Sequence, residues 1–559
     1  MKKIATICLI FVAAIAVNAQ SKNYFPERPK IVVGIVVDQM RQEYLYRFAP
    51  KFGDGGFKRL MGEGFMLTNA HYNYVPTYTG PGHASIYTGA TPAIHGIIAN
   101  DWYDKNLKIK VNCVLDENQS IVGSDVGRGK VSPHRLLTTT ITDELEMATQ
   151  RRAKVVGISI KDRGAVLPAG HTPDGAYWYD DLTGKFISST YYKMALPLWL
   201  DQFNSRNLAD KYLNETWNTV YPIETYKESG PDDSPYESVL TDEWKVQGKD
   251  RPVFPYNLKL LRKDNKEFAL LPFTPFGNDL LSDLAFAALD GEQMGRDEWT
   301  DFLSISFSST DKLGHSVGPN AIELEDMYIR LDKNLEDILN KLDMDIGKGQ
   351  YVVFLTADHG VADVRQYLKD LRIIPDSYKP INFLEGLNSY LDQYFAGKRI
   401  VENVSNEQVF LNHDVFTEDP KSSSVEYLVA CELIRTYLLS LDGVSEVYTK
   451  SAIQNGSFDE DGLRGKVKRG YHTKRSGDIG FVMESGWTDD KDRSTGHSTG
   501  YTYDTHSPII FYGFGVRHGS TANYHTITDI APTLSTILKI KFPSGATGQP
   551  ITELLKDIE

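Results

Sequence analysis

Cysteine is scarce in this 559-residue chain. There are three, and Cys8 lies in the amino-terminal apolar stretch, which leaves Cys113 and Cys431. Two distant cysteines exclude a disulfide-built scaffold and match no thiolate metal spacing; whether they pair is open, and neither is assigned a functional role. No stretch approaches the ~20 uninterrupted apolar residues needed to cross a bilayer, so no membrane span is expected. Positive charge is also short: 60 Lys and Arg against 74 Asp and Glu leave a net −14. That balance argues against a nucleic-acid partner while leaving room for a local basic pocket. Internal repeats and low-complexity tracts are missing, and 41% hydrophobic with 24% charged residues describes an ordinary globular chain.

Residues 1–19 read as a Sec-type signal peptide. Lys2 and Lys3 precede an apolar run, and Val17 and Ala19 stand at the −3 and −1 positions of a cleavage site. The mature protein is therefore expected in the periplasm or outside the cell. Residues 20–559 are read as one catalytic domain. Continuous apolar, β-branched runs at 30–37 (KIVVGIVV), 154–160 (KVVGISI), 302–306 (FLSIS), 351–355 (YVVFL) and 508–512 (PIIFY) predict central strands covered on both faces. Helical periodicity predicts helices over 138–151, 278–289, 321–341 and 530–538, the last with Asp529 as N-cap and Pro532 in its first turn. The fold class is α/β, a mostly parallel central sheet flanked by helices on both faces. Residues 170–272 and 365–470 break the alternation and are read as loop-rich insertions or a lid.

Polar residues gather just after the predicted strands, at the edge where open α/β sheets bind ligands. Asp38 ends the first run, Lys161 and Arg163 follow the second, and Asp311 and His315 stand four apart after the third. Asp358 and His359 follow the fourth, and His497 and His506 lie ahead of the fifth. Each has a plain alternative as a cap, solvated turn or surface residue. Together, mixed carboxylate and imidazole donors suit Zn²⁺ better than Mg²⁺ or Ca²⁺, and there are enough for two ions. Thr79, in TYTGPGHASIYTG over 77–89, is either the cap of a Gly-Pro turn or a nucleophile beside a helix start. Gly80-Pro81-Gly82 lacks a P-loop ending, Asp459 to Gly462 lacks the remaining EF-hand ligands, and both read as turns.

The order Asp38, TYTGPGHASIYTG with HGIIANDWY, SIKDRGAVLPAG, SFSSTDKLGH, FLTADHG, GHSTGYTYDTHSPIIFYG and TDIAPTLSTIL closely resembles the alkaline phosphatase superfamily. Within it, the chain resembles the secreted, phosphate-irrepressible bacterial phosphatases related to nucleotide pyrophosphatase/phosphodiesterases. The match runs from about residue 30 to the carboxyl terminus. The resemblance implies two Zn²⁺ ions, one held by Asp311, His315 and His497 and one by Asp38, Asp358 and His359 beside the nucleophile Thr79. It also implies phosphate contacts from Asn100, Lys161 and Arg163. His497 is chosen over His506 because related diesterases place the ligand histidine well upstream of the closing strand, although His-Ser stands here where His-Gly is common.

The expected activity is a phosphomonoesterase working through a phosphothreonine at Thr79 on small phosphate monoesters. The Lys161 and Arg163 cations favour a monoester over a diester, whose second ester group they would not match. A phosphodiesterase with the same metals is the rival; a sulfatase lacks its Cys or Ser nucleophile here, and a non-catalytic binding protein would not need Thr79 with every ligand. A monomer is favoured, with oligomeric state otherwise open.

Overall fold

The computed structural model describes residues 28–127, 129–238, 252–375, 382–416, 423–457, 462–487 and 492–556. The expected leader over 1–19 and the acidic residues 459–461 lie outside them. A ten-stranded sheet organises the chain. Its strands in chain order are β1 (Ile31–Val37), β2 (Phe65–Leu67), β3 (Ile121–Val122), β4 (Val155–Ser159), β5 (Gly175–Asp180), β6 (Lys185–Ser189), β7 (Asp301–Phe307), β8 (Tyr351–Thr356), β9 (Ile509–Gly513) and β10 (Gly519–Thr521). They lie in the order β10-β2-β9-β8-β1-β7-β4-β5-β6-β3. The centre, β8-β1-β7-β4-β5, is parallel. Antiparallel pairs flank it on both sides, β8 with β9, β9 with β2, β5 with β6 and β6 with β3.

Alternation along β1 explains why its sequence is apolar throughout. Ile31, Val33, Ile35 and Val37 enter a core with α4 (Phe276–Gly291) and α6 (Ile322–Asp345). Val32 and Val36 face the opposite core with α1 (Thr79–Thr88), α2 (Ile141–Thr149) and α7 (Ile530–Leu538). Both faces are covered, so no strand residue needs to be polar. Register sets the functional edge: Val37 pairs with Phe307, Val36 with Thr356, and Ser306 with Ser159. The residues following β1, β4, β7 and β8 therefore leave the sheet side by side. Antiparallel β9 contributes its amino end, Ile509 pairing with Thr356, so the segment ahead of it reaches the same edge. Two shorter helices begin there, α3 (Asp162–Ala169) after β4 and α5 (Ser309–Val317) after β7.

Three expectations need correction and one needs refinement. Residues 170–272 do not form an insertion from their start, because β5 and β6 belong to the sheet. These strands bury Tyr177, Trp178, Tyr179, Ser188 and Ser189 instead of a Val/Ile run, which hid them from the apolar pattern. Residues 365–470 are not loop-rich. Helices Phe383–Phe395 and Ser423–Leu439 pack on a four-stranded antiparallel sheet around Leu387, Leu391, Val409, Ile434 and Leu438. The sheet includes Ile479–Met483, beyond the expected boundary. Gly80-Pro81-Gly82 is no turn but the first turn of α1, where proline is tolerated because its missing N–H has no helical partner. Asp529 stands at the N-cap position of α7 as expected, but its carboxylate makes no bond to that helix and turns back to accept the Thr526 N–H at 3.0 Å, closing a capping box on the preceding Ile527–Asp529 turn. Cys113 and Cys431 are free and buried.

Gly82 marks the closest approach of α1 to the functional edge. A Cβ on it would stand 2.4 Å from the Asp358 carbonyl oxygen. Gly82→Ala is expected to cost about 1–3 kcal/mol through overpacking, seen as a lower thermal midpoint together with lost activity. An unchanged midpoint would show that α1 can move away from the edge.

Candidate active site

Each strand end delivers one or two side chains to a shared point. Asp38 follows β1, Lys161 is the N-cap of α3, Asp311 and His315 lie one helical turn apart on α5, and Asp358 and His359 follow β8. Thr79 opens α1, His497 comes from the segment before β9, and Asn100 precedes the strand Asp101–Asp104. Asp38, Thr79, Lys161, Asp311, Asp358 and His359 are all buried. The residues are scattered over more than 450 positions of sequence, and the parallel register brings them together.

Lys161 is the hub. Its Nζ lies 2.7 Å from Asp38 Oδ2, 2.5 Å from Asp311 Oδ2 and 3.2 Å from Thr79 Oγ1. Burial alone would lower its pKa, but Asp311 and Asp38 outweigh burial and hold the ammonium above its ordinary range. Asp311 answers in kind: burial would raise its carboxyl, yet Lys161 and His315 hold it well below the usual carboxylate range. Asp358 has no such partner, and burial, followed by the charge of Asp38, pushes its carboxyl well above that range. Three buried carboxylates thus gather around one ammonium that contacts two of them.

The histidines are oriented alike. Nδ1 of His315 donates to the Thr495 carbonyl at 2.7 Å, that of His359 to Gly360 at 2.9 Å and that of His497 to Thr77 at 2.6 Å. A carbonyl partner requires Nδ1 to carry the proton, which leaves each Nε2 lone pair available. His315 Nε2 is 3.1 Å and His497 Nε2 3.7 Å from Asp311 Oδ1. His359 Nε2 is 3.4 Å from Asp38 Oδ1 and 3.6 Å from Asp358 Oδ2. Two sets of ligating atoms lie within 4.8 Å of one another, Asp311-His315-His497 and Asp38-Asp311-His359. Asp38 Oδ1, Asp358 Oδ2 and His359 Nε2 are buried without a hydrogen-bond partner, whereas Asp38 Oδ2 meets the Lys161 ammonium. Such orphaned acceptors are costly unless a cation satisfies them, so the donor chemistry fits divalent metal ions.

Asn100 accepts the Gly80 N–H through Oδ1 at 2.7 Å, which leaves its NH₂ as the donor end beside the start of α1. Arg163 lies in the first turn of α3. Burial would lower its pKa, but Asp162 leads a group of acids that keeps the guanidinium above its ordinary value. Lys161 and Arg163 also line a cavity of about 340 Å³ with Trp178, Asn265, Phe273 and Lys312. His506 lies apart from the cluster: its Nε2 faces the Thr68 carbonyl at 3.0 Å and its ring stacks on His71. Two contributors escaped the sequence reading. His83 is fully buried, with Nδ1 2.9 Å from the Thr79 carbonyl and Nε2 2.8 Å from Ser306 Oγ, and burial pushes its pKa down to about 4. Gln39 touches Asp311 and Asp358; its only signal was its place after Asp38.

Comparison with known proteins agrees with this arrangement. The family model described as type I phosphodiesterase / nucleotide pyrophosphatase matches residues 32–508. The chain is 43% identical to alkaline phosphatase PhoV of Synechococcus elongatus, over 99% of this chain and 100% of that protein. It is also 43% identical to alkaline phosphatase PafA of Elizabethkingia meningoseptica, over 98% of each. The PafA crystal structure superposes with a TM-score of 0.89 over 96% of this chain and 100% of that one. A third relative, from Myroides odoratus, is 41% identical over 99% of this chain and 98% of its own length and bears the name calcium-transporting ATPase. With a family model spanning most of its length and relatives above 40% identity end to end, the chain belongs to the type I phosphodiesterase / nucleotide pyrophosphatase family of the alkaline phosphatase superfamily.

Proposed function

We propose that this chain is an exported, metal-dependent alkaline phosphatase that hydrolyses small phosphate monoesters through a phosphothreonine at Thr79. The observation that carries the reading is the position of Thr79 Oγ1, at the first residue of α1 and 3.2 Å from Lys161 Nζ, against the buried Asp and His cluster. Two zinc ions would be held, one by Asp311, His315 and His497 and one by Asp38, Asp358 and His359, with Asp311 in reach of both sets. When bound they supply charge neutralisation and a lowered pKa for the hydroxyls they touch.

The chain's own residues do the rest. Thr79 Oγ1 forms a bond to phosphorus as the ester P–O bond breaks and the alcohol departs; water then cleaves the phosphothreonine to phosphate and regenerates the hydroxyl. Non-bridging oxygens would receive hydrogen bonds from the Asn100 NH₂, Lys161 and Arg163, and their charge grows in the transition state. The start of α1 adds a favourable dipole for the phosphoryl group.

Lys161 beside the nucleophile and Arg163 in the cavity that Lys161 also lines favour a dianionic monoester over a diester, whose extra substituent would displace water from their charges without matching them. This separates the reading from the diesterase in the family's description. The names of PhoV and PafA support it. The transport name of the third relative is not carried over; among the described residues no helix is long and apolar enough to cross a membrane. Export by residues 1–19 to the periplasm or beyond, action as a monomer and the absence of a nucleic-acid partner complete the proposal.

With an aryl phosphate monoester and its matched methyl diester, kcat/KM is expected to be higher for the monoester. Lys161→Ala or Arg163→Ala should lower monoester turnover by about 10²–10³-fold and diester turnover by much less; a better diester rate would overturn the monoesterase reading. Thr79→Ala should lose on the order of 10³-fold or more, and full retention would sink the covalent route. Dialysis against a chelator should abolish turnover, and zinc should restore it with two ions per chain by elemental analysis.

A further inference from the structure

Gln39 has a place that the proposed reaction does not use. It is 2% exposed, stands directly after Asp38, and adopts φ +64°, a left-handed conformation that non-glycine residues adopt at a cost and keep only where the surroundings hold it. That conformation turns its two hydrogen-bonding groups toward two different carboxylates. Its side-chain Nε2 donates to Asp311 Oδ1 at 2.9 Å, and its backbone N–H to Asp358 Oδ1 at 3.2 Å. Space for the side chain comes from α5, where a Cβ on Gly314 would stand 2.0 Å from Gln39 Oε1. Gly314 lies within the Asp311-Lys-Leu-Gly-His315 turn, so the helix that carries two of the candidate ligands also makes room for the residue that touches one of them.

The consequence lies in which oxygen each carboxylate presents. Asp311 is held from both ends, Oδ2 by Lys161 and Oδ1 by Gln39, with Oδ1 also facing His315 and His497. Asp358 is held by Oδ1, so its orphaned Oδ2 faces His359 Nε2. We infer that Gln39 is a positioning residue for both metal sets: it fixes the rotation of Asp311 and Asp358 so that one oxygen of each is offered beside the histidine Nε2 atoms. Its side-chain donor acts on the Asp311 set, and its backbone donor, held by the left-handed conformation, acts on the Asp358 set. The inference rests on the proposed two-zinc reading. Outer hydrogen bonds of this kind are worth 10–100-fold in metal affinity.

Zinc affinity of the full-length protein, measured by competition with a chromophoric chelator, separates the possibilities. Gln39→Ala removes the side-chain donor and keeps the backbone N–H. Gln39→Gly removes the same donor while relaxing the demand of positive φ, and Gln39→Glu keeps the length but replaces the donor by an acceptor facing Asp311. All three are expected to weaken binding of at least one zinc by about 10–100-fold, with Gln39→Glu the weakest. The chelator-treated Gln39→Gly variant should keep a thermal midpoint near that of the treated wild type, which distinguishes positioning from loss of fold. Wild-type zinc affinity in Gln39→Ala and Gln39→Gly would overturn the inference and leave the phosphatase reading intact. A wild-type protein that binds no zinc would overturn both.

Discussion

Burial of three carboxylates at one edge of a sheet is the constraint on which the rest of this site depends. Asp38, Asp311 and Asp358 are almost fully removed from water, where unpaired carboxylates are strongly disfavoured. Lys161 answers two of them directly, and Asp358 responds instead by holding its proton more tightly. The remaining demand falls on whatever cations the orphaned oxygens and the three aligned Nε2 atoms receive. Each histidine offers Nε2 because a backbone carbonyl holds Nδ1. The orientation of the three imidazoles is therefore fastened to the main chain.

That fastening needs close contact between elements far apart in sequence. Gly82 lets α1 lie against the backbone of Asp358, and Gly314 opens α5 to Gln39. The Thr495 and Thr77 carbonyls that orient His315 and His497 come from the segment entering β9 and the approach to α1. Because β9 runs antiparallel to β8, its amino end can serve the same edge as the carboxyl ends of its neighbours.

The four-stranded unit has its own core, yet it touches the site beside two of its members. Asn406 donates to the Asp101 carbonyl, next to Asn100, at 2.7 Å, and Ser498, next to His497, donates to Glu407 Oε1 at 3.1 Å. Both contacts come from the turn between its first two strands. The unit thus packs beside two members of the site without supplying any of the clustered carboxylates or histidines, which all come from the sheet and the segments around it.

Sequence alone determined the strands buried on both faces, because short apolar runs rich in β-branched and aromatic residues fit a sheet covered on both sides better than a helix. It also determined the Asp311–His315 pair, whose spacing of four puts both on one side of any helix. The motif order pointed to the superfamily. Strands β5 and β6 were illegible, since buried tyrosine, tryptophan and serine do not repeat with a clear period. So were Gln39 and His83, whose roles arise from contacts with residues hundreds of positions away. Only the tertiary structure decided that His497 and not His506 joins the cluster, and that Lys161 sits between Asp38 and Asp311. Local sequence sets periodicity and capping, whereas which side chains meet at an edge is set by strand register and direction, and these are fixed only when the whole sheet assembles.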